Sequence, residues 1–240
     1  MRLVILFPVL NEELRLENGI LKTIQYMDSQ NYTDYELLIV DNGSVDRTKE
    51  IANNLCEKYE NVRYLRLEER GVGIAFREGV KNSESDIIGY MDVDLSTDIS
   101  HLSDMLEIFN NNIGVDIVNG SRLHKNSDMK GRKWYRNITS YGLKFCMKLL
   151  LGMKSSDAIC GFKFYRRERL IPLMKETDNE NGWFYIIELL IRAERNNYNI
   201  VELPVRWQDE YHTTVDVVAL IKNYLTHIMK LRKQLKKEKT

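Results

Sequence analysis

The stretch "DIIGYMDVDLSTD", Asp86 to Asp98, sets the apolar residues Ile87, Ile88, Tyr90 and Met91 directly against Asp92, Asp94 and Asp98. The run is short and bounded by polar residues, so it reads as a buried strand ending on carboxylates. In extended backbone Asp92 and Asp94 share one face while Val93 points to the other. Two carboxylates side by side repel unless something positive lies between them. Mg²⁺ or Mn²⁺ suits such a place, taking one or two carboxylates and leaving other positions for water and substrate phosphates. A metal there would hold a diphosphate and neutralise charge as it leaves. In isolation the pair also suits a helix cap and a solvated loop residue.

Outward from this stretch, comparable runs occur at LVILFPV (3–9), YELLIVD (35–41), VRYLRL (62–67) and VDIVNGS (115–121). Helical patterns near 14–29, 46–59, 71–81 and 100–110 separate them. Continuous apolar strands alternating with helices predict an α/β fold, a mostly parallel sheet covered on both faces. The second half is less regular, with a helix over 134–152, a strand at 161–166, helices over 167–175 and 183–196, a strand at 199–207 and a terminal helix from Val215. No repeat or low-complexity linker interrupts the chain, so one domain is expected over 1–215, followed by an amphipathic helix and basic tail over 216–240.

Ligands of open α/β sheets bind beyond the carboxyl ends of the strands. Those ends carry Pro8, Asn11 and Glu12, then "DNGSVD" (Asp41 to Asp46), "RGVG", Asp92 with Asp94, and "NGSR", so the polar punctuation is predicted to gather at one edge.

The 240 residues balance 35 basic against 35 acidic side chains, which argues against a protein that mainly grips nucleic acid. The last eleven, KLRKQLKKEKT, hold six Lys or Arg and one Glu, leaving the remainder acidic by 34 to 29. Cys56, Cys146 and Cys160 lack paired spacing and read as reduced thiols of a cytosolic protein. No apolar run reaches the ~20 residues of a membrane span. The N-terminus meets Asn11, Glu12 and Glu13 too early for a secretory leader. The expected location is cytoplasmic, peripheral at the cytoplasmic face of a membrane, with contact made directly or through a membrane partner protein.

Asp41, Asn42, Gly43 and Ser44 suit a turn, with Asp46 capping the next helix, and equally a strand edge where Asp41 accepts hydrogen bonds from a base or ribose. "RGVGIAF" follows a strand and opens a helix, but Phe76 stands where a dinucleotide fingerprint needs its third glycine. Gly71 and Gly73 are read instead as letting the backbone approach a ligand or a neighbouring turn.

In order, "FPVLNEE", "IVDNGSVDRT", "RGVGIAFREG", "DIIGYMDVDLS", "NGSR", "DAICGFKFYRRE" and "WFYIIELLIRA…VELPVRW" resemble the family 2, GT-A-fold glycosyltransferases, and among them the dolichyl-phosphate mannose and glucose synthases. The resemblance spans residues 3 to about 216. It implies a Rossmann-like GT-A sheet and inverting transfer of a hexose from a UDP- or GDP-linked sugar to a polyprenyl phosphate. It places Pro8, Asn11, Glu12 and Asp41, with Gly43 and Ser44, against the nucleotide, and makes Asp92, Val93 and Asp94 the DxD segment that binds Mg²⁺ or Mn²⁺. Asp157 matches the acceptor-side aspartate, a base or an orienter of the nucleophile. Arg122 and Arg132 match basic residues near an acceptor phosphate, and Trp183 and Glu188 the segment closing over the sugar.

One departure stands out in "RWQDEYHTTVDVV", where Thr213 and Thr214 replace a small residue followed by Lys or Arg. That favours the alternative of a hydroxyl acceptor in cell-surface polysaccharide or glycan assembly. A nucleotidyltransferase would need a glycine-rich basic N-terminus that this chain lacks, and a noncatalytic sensor would have no use for Asp92, Asp94 and Asp157 together. The terminal segment spaces Val217, Val218, Leu220, Ile221, Leu225, Ile228 and Leu231 helically before the basic run, as for a helix on an anionic membrane or one packed on the domain.

Overall fold

The computed structural model describes residues 1–131, 134–208 and 217–238, the side chains of 134–136 and 217–220 excepted. Strands and helices alternate through β1 (Leu3–Val9), α1 (Leu16–Ser29), β2 (Tyr35–Asp41), α2 (Thr48–Lys58), β3 (Val62–Arg66), α3 (Val72–Lys81), β4 (Ile87–Met91), α4 (His101–Asn111) and β5 (Ile117–Ser121). Then follow β6 (Asp128–Lys130), α5 (Trp134–Leu151), β7 (Phe162–Arg166), α6 (Arg167–Glu176), α7 (Phe184–Arg195), β8 (Ile200–Pro204), β9 (Arg206–Gln208) and α8 (Val217–Lys237).

Seven strands form one sheet in the order β3-β2-β1-β4-β7-β5-β8. All run parallel except β7, which lies antiparallel between β4 and β5. The predicted mostly parallel sheet is thus observed, with one reversed strand. Apolar periodicity carries no strand direction, so the reversal was not readable. Its consequence is local: the start of β7 meets the end of β4, with Phe162 opposite Met91.

The expected strand over 199–207 divides into β8 and β9 around Val205, whose N–H reaches the Ser121 carbonyl at 3.0 Å. β9 leaves the main sheet to pair with β6, a three-residue strand in a segment too polar to read as one.

Alternation along β1 serves both faces. Leu3, Ile5, Phe7 and Val9 enter one apolar layer with α1 and α4, while Val4 and Leu6 enter the other with α3 and α7. A third cluster joins Leu143 and Met147 of α5 and Leu190 of α7 to Tyr224, Ile228, Leu231 and Leu235 of α8. The terminal helix therefore packs on the domain. Among the described residues no helix is long and apolar enough to cross a membrane.

Candidate active site

The carboxyl ends of β1, β2, β3, β4 and β5 open at one edge, where the polar punctuation gathers. Pro8 helps create the opening. Leu3 donates its N–H toward the β2 side, so alternation turns the Pro8 nitrogen toward β4, beyond their last pair, Leu6 with Tyr90. The ring therefore removes no ladder bond, and β1 and β4 diverge with Glu12 on one side and Asp92 and Asp94 on the other.

The DxD segment is held tightly. The Val93 carbonyl lies so close to Gly19 of α1 that a Cβ there would come within 2.1 Å of it, and at Gly161 a Cβ would come within 2.0 Å of the Asp92 carboxylate. The Asp92 N–H donates to the Gly161 carbonyl (3.3 Å), and Leu95 closes the turn in the left-handed region at φ 55°, uncommon for a bulky side chain. Asp94 Oδ1 accepts the Ser96 N–H at 2.9 Å. Asp98, the third carboxylate of the stretch, belongs elsewhere: it caps α4 through Ser100 and pairs with Arg206 at 2.8 Å.

Burial and then the neighbouring Asp94 push the Asp92 carboxyl up to about 7, against the pull of Arg122 and Lys163. Burial also raises Glu12, with Asp94 adding to the effect and Arg15 opposing it. Among the described residues no donor bonds the Asp92 carboxylate. Two carboxylates whose mutual repulsion outlasts the pull of Arg122 and Lys163 fit a hard divalent cation. Among the described residues no group of three acidic, His or Cys side chains gathers here, so such an ion would depend on ligand oxygens as well.

Behind the DxD segment, Asp157 holds Arg122 by both prongs, Nε to Oδ2 at 2.8 Å and Nη2 to Oδ1 at 3.1 Å. Asp157 also accepts the N–H groups of Arg122 (3.1 Å) and Ile159 (2.9 Å). Burial opposes the charge, but Arg122 outweighs it and keeps the carboxyl far below the ordinary range. To act as a base, Asp157 would first have to give up this guanidinium. The Arg122 guanidinium stacks 5.6 Å from the Trp207 ring, beside a pocket lined by Leu95, Ser96, Lys130 and Trp207.

Lys163, fully buried in β7, donates to Asn119 Oδ1 (2.7 Å) and to the Cys160 carbonyl (2.9 Å). It sets a second positive charge behind Asp92 and Asp157. Sequence reading passed over it, although a lone Lys inside the apolar "GFKFYR" was a signal.

At the β2 edge the expected nucleotide-side set is hydrogen-bonded within the chain. Asp41 is fully buried, accepting from Ser44 N–H (2.8 Å), Tyr64 Oη (2.6 Å) and Arg66 Nη1 (3.0 Å), so Tyr64 and Arg66 cover it. Ser44 Oγ accepts the Asn11 N–H at 2.9 Å, Asn11 Oδ1 accepts the Val45 N–H at 2.9 Å, and the Glu12 N–H goes to Thr48 Oγ1 at 2.8 Å. Gly43 takes φ 77°, as its turn requires. Asp46 Oδ1 accepts the Thr48 N–H at 3.0 Å and caps α2 as expected.

Gly71 and Gly73 meet a neighbouring turn. A Cβ at either would come within 2.0 and 2.4 Å of the Asn181 and Glu180 carbonyls. The Asn181 carbonyl accepts the Gly73 N–H at 2.7 Å, so this helix start is already occupied, in keeping with the rejected dinucleotide reading. Arg77 grips the same turn through the Glu180 carbonyl at 2.6 Å and Asn181 Oδ1 at 2.5 Å. Trp183 follows it, exposed at the start of α7.

Glu188 belongs to the segment expected to close over the sugar. It is buried in α7 and paired with Arg192 at 2.7 Å, and Arg192 in turn reaches Glu238 at 3.0 Å, an ion-pair chain fastening α7 to the C-terminal end. Arg132 and the segment with Thr213 and Thr214 lie outside the described residues.

This arrangement has parallels. In solved structures, glucosyl-3-phosphoglycerate synthase from Mycobacterium tuberculosis, in complex with Mn²⁺, UDP and phosphoglyceric acid, superposes over 96% of this chain and 78% of its own with a TM-score of 0.70 at 17% identity. At that identity the likeness shows the fold, which is GT-A. Dolichyl-phosphate beta-glucosyltransferase of Dictyostelium discoideum is 30% identical over 257 residues, 96% of this chain and 77% of that protein. Glycosyltransferase AglD of Haloferax volcanii is 29% identical over 233 residues, and there the chain spans only 37% of the relative's length. The family model described as glycosyl transferase family 2 matches residues 4–172. With that match falling on the sheet and the DxD edge described above, the chain belongs to glycosyltransferase family 2 and is a glycosyltransferase.

Proposed function

We propose that the chain catalyses metal-dependent, inverting transfer of a hexose from a UDP- or GDP-linked sugar to a polyprenyl phosphate. The observation that carries this reading is the pairing of Asp157 with Arg122 beside a DxD segment whose Asp92 has no bonded cation among the described residues. Asp94 and Asp92 would hold Mg²⁺ or Mn²⁺. When bound, the metal supplies positive charge to the departing nucleoside diphosphate.

Asp157 aligns Arg122 through Nε and Nη2 and leaves Nη1 to meet an anion, as guanidinium suits phosphate. An acceptor phosphate oxygen attacks C1 of the sugar, and the C1–O bond pair departs with the diphosphate. That oxygen is already anionic at neutral pH, so no side chain has to take a proton. A hydroxyl acceptor would need a base, and Asp157 is held ionised and engaged. The relatives support this choice, since one is a dolichyl-phosphate glucosyltransferase over most of both chains. Tyr64 and Arg66 of β3, with Asn11 and Glu12, line the side on which the nucleotide is proposed to sit. Thr213 and Thr214 in place of a cation support the hydroxyl-acceptor alternative.

The test is nucleoside diphosphate release from UDP and GDP sugars with Mn²⁺, with and without a short polyprenyl phosphate. Release that requires both metal and lipid phosphate supports the reading. Lipid-independent release, or release undiminished by EDTA, contradicts it.

A further inference from the structure

Ile228 and Leu231 of the terminal helix's periodic set are buried against α5 and α7. Among the described residues a longer uncovered apolar stripe lies on α5. Leu143, Met147 and Leu151 face inward, while Ile138, Tyr141, Phe145 and Leu149 are 62%, 51%, 66% and 69% exposed. Their spacing of three, four and four residues places them on one outward stripe about three turns long. Scattered apolar residues on a surface need no explanation, but four large ones aligned on one helix face do.

Charge identifies what covers them. Neither α5 nor α8 contains an Asp or Glu, whereas α5 carries Lys144 and Lys148 beside the stripe. The Lys144 ammonium sits 5.9 Å from the Tyr141 ring centroid, an apolar stem ending in a cation at the rim. On α8, Leu225 and Met229 are exposed among Lys222, Lys233 and Lys237. In a dimer built on α5, lysines would meet lysines with no acid to balance them. Apolar side chains rimmed by cations match an anionic bilayer, where the former enter the acyl boundary and the latter meet the headgroups.

We infer that the outward face of α5 is a docking surface for an anionic lipid bilayer, and that it, more than the basic tail, holds the protein there. This goes beyond the reaction and does not depend on which acceptor is used. Six residues after α5 comes Asp157, so the docked face adjoins the chain segment that orients Arg122.

The test is co-sedimentation of the full chain with protein-free vesicles of phosphatidylcholine, with and without phosphatidylglycerol. The wild-type chain should pellet with the anionic vesicles, and Phe145→Glu/Leu149→Glu should lower the bound fraction about tenfold. Both side chains are exposed, so the melting temperature should be unchanged. Lys144→Gln/Lys148→Gln should weaken the preference for phosphatidylglycerol, while Lys236→Gln/Lys237→Gln should retain most binding. Absence from anionic vesicles, or binding lost in the tail variant but kept in Phe145→Glu/Leu149→Glu, would overturn the inference. So would a dimer that the α5 substitutions dissolve, or binding to native membranes but not to protein-free vesicles, which would give the face to a protein partner.

Discussion

Asp157 and Arg122 form a two-pronged ion pair at 2.8 and 3.1 Å, almost wholly buried behind the DxD segment. The pair makes this carboxylate the support of a guanidinium, and on the proposed function it favours a phosphate acceptor over a hydroxyl. A base is indispensable to a hydroxyl acceptor. An aligned cation serves a phosphate.

Asp157→Asn should therefore weaken the lipid-phosphate acceptor, raising its KM more than it lowers kcat, without moving the pH profile. Arg122→Lys, which removes the fork but keeps the charge, should lower kcat/KM about a hundredfold. Steady-state kinetics across pH check both. An acidic limb that disappears in Asp157→Asn would instead assign it proton transfer.

Asp92 yields a pH prediction. Its carboxyl is raised in the folded, metal-free chain to about 7, while the unfolded chain keeps an ordinary value near 3.8. Its contribution to stability is thus full below the unfolded value and is lost as pH rises through 7. Chemical denaturation without metal should show that loss, and Asp92→Asn should remove it. Because the metal needs the ionised form, apparent Mn²⁺ affinity should fall about tenfold per pH unit below 7, as calorimetry at several pH values would detect.

The close approaches at two glycines predict distinct phenotypes. Gly161→Ala meets the movable Asp92 carboxylate and should impair metal-dependent donor binding with little change in melting temperature. Gly19→Ala meets the Val93 backbone carbonyl and should destabilise by about 1–3 kcal/mol as well. Melting curves paired with donor titrations distinguish the two.

Glu188→Ala leaves the buried Arg192 with Glu238 as its one carboxylate partner among the described residues and should destabilise the fold by about 3 kcal/mol. Donor affinity should stay the same in the remaining folded protein. A donor-binding defect at unchanged stability would restore Glu188 to the sugar site.

Much of the fold was legible because a sheet covered on both faces writes its strands as continuous apolar runs, as at Leu3–Val9 and Ile87–Met91. The reversal of β7 and the β6–β9 ribbon were not, since direction leaves no periodic trace and "DMK" has no apolar alternation. The gathering of Asn11, Glu12, Asp92 and Asp94 at one edge followed from topology alone. Asp41 looked free because Tyr64 and Arg66, which cover it, come from the next strand. Glu188 looked functional because a charge in an apolar helix has the same appearance whether it meets a ligand or a buried Arg192. Lys163 went unread because its partner Asn119 lies on the adjacent strand β5.

The most direct measurement is transfer of labelled hexose from the preferred nucleotide sugar, with Mn²⁺, to a polyprenyl phosphate and to the matching polyprenol, by the wild-type chain and Asp94→Ala. The account predicts a glycosyl phospholipid from the phosphate, nothing from the alcohol, and loss of product in Asp94→Ala. Transfer to the alcohol, or undiminished product from Asp94→Ala, would contradict it.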